Sequence, residues 1–146
     1  MPTYTAQLSA AASADVVFAY LAQFDNTVHW DPSVIDAHAE KPGPPALGSV
    51  YVVTVQLGSG PEVLRYVITE YDPPHCVVLE AEGSKFRARD EMKVDPEASG
   101  SRMTYEARLD FKGLMKIGTP FAGRALQTAG DAAIAGLARE LAKLSS

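Results

Sequence analysis

With 146 residues, a mass of 15.6 kDa and 47% apolar composition, the chain has the size of one compact domain and can build a substantial core without disulfides. Thirteen basic against eighteen acidic residues leave a net charge of −5 and a pI near 5.1, which disfavours nucleic acid and anionic membrane surfaces as partners. The lone Cys76 has no intramolecular disulfide partner. No run of roughly 18 apolar residues occurs, and Met1 to Tyr4 lacks the basic and apolar regions of a secretory leader. These features lead to the expectation of a soluble, cytoplasmic protein with no integral membrane association.

Thr3 to Leu8 alternates Tyr4, Ala6 and Leu8 with polar residues, the period-two pattern of a strand with one covered face. Ser13 then precedes Ala14–Leu21 as an N-cap, with Asp15 placed to complement the helix dipole, and the helix should end near Ala22 to Phe24. Thr27 to Trp30 can form only a short second helical turn, because Pro32 disfavours helix at Asp31. From Val34 the alternation resumes, with Ile35, Ala37 and Ala39 expected on one face, until Lys41-Pro42-Gly43-Pro44-Pro45 stops it.

Four strand-like runs follow, Val50–Gln56, Val63–Tyr71, Cys76–Ala81 and Phe86–Val94, each separated from the next by turn-forming residues. A seventh, Arg102–Phe111, comes after a turn expected over Pro96 to Ser101. In the last two runs Phe86, Ala88, Asp90, Met92 and Val94 share one parity, as do Met103, Tyr105, Ala107, Leu109 and Phe111. The intervening positions are mostly charged, so one sheet face is covered and the other wet, as an antiparallel sheet allows. Beyond Gly113, Leu126, Ala129, Ala133, Leu137, Leu141 and Leu144 recur at helical spacing and predict a long amphipathic C-terminal helix. Gly123, Gly130 and Gly136 each cost that helix about 1 kcal/mol relative to alanine, which close approach or local mobility must offset.

The elements add up to an α+β helix-grip fold: a curved seven-stranded antiparallel sheet around a long C-terminal helix, with two short helices between strands 1 and 2. Small residues between curved sheet and helix make an internal cavity a reasonable expectation. The order of elements, with Ser13-Ala14-Asp15-Val16-Val17-Phe18-Ala19-Tyr20-Leu21 followed by Trp30-Asp31-Pro32, resembles the START-like or SRPBCC superfamily, which includes the birch-pollen-allergen-like proteins. Phe86–Met92, Gly100–Ala107 and Phe111-Lys112-Gly113 resemble its bacterial polyketide cyclase/dehydrase and lipid-transport branch. This resemblance spans essentially the whole chain and implies a START-like ligand-binding domain over residues 1–146 that takes hydrophobic molecules such as lipids, isoprenoids or aromatic polyketides.

Asp90 is the most informative polar residue, since a carboxyl on an apolar face must find donors or be raised in pKa by desolvation. It either faces the cavity, where it could exchange a proton with Tyr105 or Tyr66 as neutral donor, or is turned to solvent by a bulge or strand end, or anchors nearby backbone amides. Trp30 lines the cavity mouth or plugs the short second helix, and Tyr66 and Tyr105 are cavity hydroxyls or sheet packing. Phe86, Ala88, Met92, Met103, Ala107 and Leu109 on the sheet are candidate cavity wall. Phe121, Ala125 and Ala129 are the corresponding candidates on the terminal helix. His29 and Asp31 flank Trp30 at a helix end and are read as solvated surface rather than an acid–base pair.

Arg65, Arg87, Arg89 and Arg108 fall on the outer parity, where ion pairs with Glu91, Glu106 and Asp110 account for them. His38 and His75 have no ligand-spaced companions, and no phosphate-cradling glycine loop or nucleophile elbow occurs, so neither metal nor cofactor is expected. Three functions remain open: a carrier or sensor of a small hydrophobic molecule, a cyclase or dehydratase using Asp90 with Tyr105, and a protein-interaction domain with an exposed apolar patch.

Overall fold

The computed structural model describes residues 3–57, 60–112 and 119–144, with backbone only at 57 and 119–123. Seven strands form one antiparallel sheet: β1 (Thr3–Ala10), β2 (Val34–Ala39), β3 (Val50–Leu57), β4 (Gly60–Asp72), β5 (Cys76–Glu82), β6 (Phe86–Glu97) and β7 (Gly100–Phe111). Their order across the sheet is β1-β7-β6-β5-β4-β3-β2, so successive hairpins run from β2 to β7 and β1 closes against β7. Between β1 and β2 lie α1 (Ala14–Ala22), a 3-10 turn (Phe24–Asn26) and α2 (Thr27–Trp30), and α3 (Thr119–Leu141) ends the fold. This is the α+β architecture expected from the alternation of the sequence.

Ser13 caps α1 as expected, its Oγ accepting the Val16 N–H at 3.4 Å. Val17, Phe18, Leu21 and Ala22 form the buried stripe of α1, which packs on β6 and β7. Among the described residues α3 packs on β1 and α2. Its stripe is Gly130, Ala133, Leu137 and Leu141, and burying each of those leucines stabilises the fold by about 1.5–3 kcal/mol. Ala129, expected on that stripe, is exposed: the helix is rotated so that Gly130 takes the contact position. The reason is the Tyr4 ring, which sits where a Cβ on Gly130 would lie, 2.6 Å from its nearest atoms. Gly136 meets the Trp30 carbonyl oxygen in the same manner, so these glycines serve close packing rather than leaving room beneath the helix.

Two bulges change which side chains face inward. The register slips between Val34 and Asp36 on β2, which buries Val34 and leaves Ile35 54% exposed, contrary to the simple alternation expected there. A second slip between Ile68 and Glu70 on β4 lets Tyr71 follow Leu64, Tyr66 and Ile68 inward, where its ring lies 5.7 Å from Phe18 of α1. The β6–β7 turn is tighter than expected. Pro96 pairs with Ser101, and only Ala98 and Ser99 connect the strands. Proline is tolerated because the Val94 N–H donates toward His75, so the Pro96 nitrogen points the same way, beyond the last β5–β6 pair at Cys76 and Lys93.

Candidate functional site

Cross-strand registers order the inward side chains into rows. Tyr66, Ala81, Ala88 and Leu109 form one row, and Ile68, Leu79, Asp90, Ala107 and Tyr4 form the next. Val77, Met92, Tyr105 and Ala6 form a third. Three alanines, Ala81, Ala88 and Ala107, therefore stand among larger neighbours and lower the floor of the concave face.

Solvent reaches this floor unevenly. Met92 and Met103 are 0% and 1% exposed, whereas Asp90, Tyr105 and Ala107 retain 7%, 6% and 8%, and Leu109 and Phe111 are only half-buried. The end of the concave face near Met92 is sealed, and accessibility grows along β7 toward Phe111. Tyr66 at 7% and Val55 at 9% keep a similar remnant on β4 and β3.

Asp90 faces inward, so of the two orientations open to it the buried one holds. Its Oδ2 accepts the Tyr105 hydroxyl at 3.0 Å. Burial pushes its pKa from the usual 3.8 up to about 7; the Tyr105 hydrogen bond opposes that shift, and the charge of Asp31 adds to it. Burial likewise raises Tyr66 and Tyr105 well above 10, with further contributions from Asp90 and Asp31, so both are neutral phenols at ordinary pH. Trp30 is 3% exposed and presents a perpendicular ring to Tyr105, with centroids 6.1 Å apart. The ring thus anchors α2 and stands beside the Tyr105–Asp90 pair at once.

The sequence pattern puts Asp31 at the solvated surface with His29. The structure corrects this for Asp31 alone: His29 is exposed, while Asp31 is partly buried and its charge is felt at Asp90, Tyr66 and Tyr105. Its Oδ1 accepts the Ser33 N–H at 2.9 Å and the Ser33 hydroxyl at 2.8 Å. Burial raises its pKa, and the two Ser33 bonds pull it back. The Asp-Pro-Ser triplet carried the signal for this turn, because a side-chain acceptor two residues before a serine closes an Asx turn. Phe24 is a second residue that the sequence pattern did not single out. Its ring lies 4.9 Å from that of Tyr66 and 6.4 Å from that of Tyr51.

The remaining candidates divide clearly. Tyr66, Phe86, Ala88, Tyr105 and Ala107 lie on the inward floor where accessibility persists, and Leu109 continues it at the half-buried end. Met92 and Met103 belong to the sealed end. Ala125 and Ala129 are exposed, and the Phe121 side chain lies outside the described residues. Among the described residues no group of three His, Cys, Asp or Glu side chains could hold a metal ion.

The outer face carries a separate open groove of about 730 Å³ lined by Arg65, Val67, Glu80, Arg87, Arg89 and Arg108 among others. Its arginines are engaged: Arg65 with Glu40 at 2.8 Å, Arg87 with Glu82 at 3.2 Å, Arg89 with Glu91 at 3.3 Å and Arg108 with Glu106 at 3.0 Å. Such exposed pairs are worth about 0–1 kcal/mol each, and no buried polar chemistry accompanies them. The inward face, where buried polar groups meet, is therefore the better candidate site.

The family model for polyketide cyclase/dehydrase and lipid transport matches residues 1–142. The chain belongs to this family. Solved structures with the same fold include a START superfamily protein from Mycobacterium smegmatis, 14% identical, with 95% of this chain and 98% of that one aligned at a TM-score of 0.72. A protein from Thermus thermophilus is 12% identical and aligns over 96% and 97% of the two chains at 0.79. The Zhui aromatase/cyclase from a Streptomyces species is 13% identical and aligns over 95% and 92% at 0.74. At these identities the likeness shows the fold alone, and that fold is START-like. No curated protein matches the chain. No described helix is long and apolar enough to cross a membrane.

Proposed function

We propose that this family member binds a small hydrophobic molecule, a lipid, isoprenoid or aromatic polyketide-like compound, between the concave sheet face and α3, as a cytoplasmic carrier or sensor. The observation that carries the reading is the floor formed by Ala81, Ala88 and Ala107. These small side chains leave a low stretch in a face otherwise built mostly of rings and aliphatic groups, and the floor around them retains a few per cent of exposure. A ligand laid on that floor removes apolar area from water at about 25 cal/mol per Å², while Tyr66 and Asp90 orient its polar atom. Native mass spectrometry of freshly purified protein, followed by extraction under denaturing conditions, tests the reading. A stoichiometric apolar passenger is expected, and a bare chain that also takes up no added apolar compound refutes it.

A second reading, a cyclase or dehydratase, is favoured by one specific observation: a buried carboxyl near neutral pKa in a hydrogen bond with a phenol. In such a reaction the Asp90 carboxylate would take a proton from carbon beside a ketone. The neutral Tyr66 or Tyr105 hydroxyl would donate toward the ketone oxygen, and the surrounding wall would hold the chain folded. Asp90→Asn should then abolish conversion of a poly-β-ketone thioester. Full turnover by that variant refutes the assignment.

A further inference from the structure

The polar groups at this site are unusual in kind. Asp90 lies within the sheet floor in a hydrogen bond with Tyr105, whose ring meets Trp30 of α2; Asp31 follows Trp30 at the α2–β2 junction, and its charge adds to that of Asp90 at Tyr66 and Tyr105. Three of the four have protein partners: Asp90 and Tyr105 have each other, and Asp31 has Ser33. The fourth does not. Tyr66 is only 7% exposed, yet its hydroxyl makes no hydrogen bond to any described residue. The hydroxyl is not among the fully buried unpaired atoms, so it keeps a remnant of solvent contact that a polar group brought in by a ligand can replace.

The described cations of the central strands lie elsewhere. Arg65, Arg87, Arg89, Lys93, Arg102 and Arg108 project from the outer face, where each meets a carboxylate. Among the described residues the inward face therefore offers two carboxyls and no positive charge. Above about pH 7, where Asp90 is ionised, a ligand carboxylate placed there would lie beside two like charges in a poorly solvated space, whereas a hydroxyl or ammonium would find acceptors.

We propose that Asp31, Asp90 and Tyr66 form an acceptor-rich end of the pocket that selects hydrophobic molecules whose polar group donates hydrogen, a hydroxyl or an ammonium, and rejects those ending in a carboxylate. This selection rests on the binding reading above, and the two fail separately. Four matched probes distinguish them: 1-methylnaphthalene, 1-naphthalenemethanol, 1-naphthylmethylamine and 1-naphthoate, titrated by ligand fluorescence against the full chain at a pH about one unit above the Asp90 titration. The alcohol and the amine should bind more tightly than the methyl compound, and naphthoate at least about tenfold more weakly than the amine. In Asp90→Asn and Asp31→Asn the amine-to-naphthoate ratio should collapse toward one. Tyr66→Phe should reduce the advantage of the alcohol over the methyl compound. Equal binding of all four probes, or naphthoate as tight as the amine, overturns the selection and leaves the pocket standing. Binding of none of them overturns both.

Discussion

Asp90→Asn keeps the shape of the side chain and an oxygen to accept from Tyr105, but it removes the titration. Folding raises this carboxyl from 3.8 to about 7, with burial as the main cause. Between those values the folded chain holds a proton that the unfolded chain releases, so stability falls as pH rises and levels off above about pH 7. At about 1.36 kcal/mol per tenfold change, the full span costs the wild type about 4 kcal/mol, of which roughly 2–3 kcal/mol is lost between pH 5 and pH 8. Urea unfolding of both proteins at pH 5, 6, 7 and 8 reads this, because titrating groups that do not feel the Asp90 charge cancel in the difference. The variant should gain on the wild type by that amount across the window, and the gap should stop widening near pH 8. Stability profiles that remain parallel refute the argument that Asp90 is desolvated in the folded state.

Tyr105→Phe removes the bond that opposes the burial shift, so the Asp90 titration should move to higher pH, as followed by carboxyl carbon NMR; an unchanged or lower midpoint contradicts the role given to that hydroxyl. Gly136→Ala would raise stability in an exposed helix, but here the new Cβ meets the Trp30 carbonyl, and a loss of about 1–3 kcal/mol is expected in denaturant titration. A gain would show that α3 does not press on α2 as described. Ala107→Phe fills the floor beside Asp90 and should weaken 1-methylnaphthalene binding by at least about tenfold. Unaltered affinity would move the pocket elsewhere.

Period-two alternation marked β1, β2, β6 and β7, whereas β3 and β5, apolar on both parities at Val50–Val53 and Val77–Leu79, stood out as apolar runs bounded by turn-forming residues. It failed at Ile35 and did not foresee Tyr71, because a bulge shifts every following side chain to the opposite face and leaves no mark in composition. The inward placement of Asp90 followed from its parity with Phe86, Ala88 and Met92, and Tyr105 met it because β6 and β7 pair in continuous register from Phe86 to Glu97. Asp31 was hidden for a different reason. Its neighbours in sequence, His29 and Pro32, suggest surface, and only the packing of α2 between β2 and α3 brings its charge to Asp90. On α3, several small residues recur at similar spacing, so the contact stripe through Gly130 was set by the Tyr4 ring on β1, a partner more than a hundred residues away in sequence.

The central claim is that an apolar molecule rests on the concave floor beneath α3. Amide and methyl chemical shifts recorded during titration with 1-methylnaphthalene locate such a molecule without a chosen mutation. The account predicts saturable shifts concentrated at Tyr66, Ala81, Ala88, Asp90, Tyr105 and Ala107, with the outer residues Arg65, Arg87 and Arg108 little affected. Shifts confined to the outer groove, or absent throughout, contradict it.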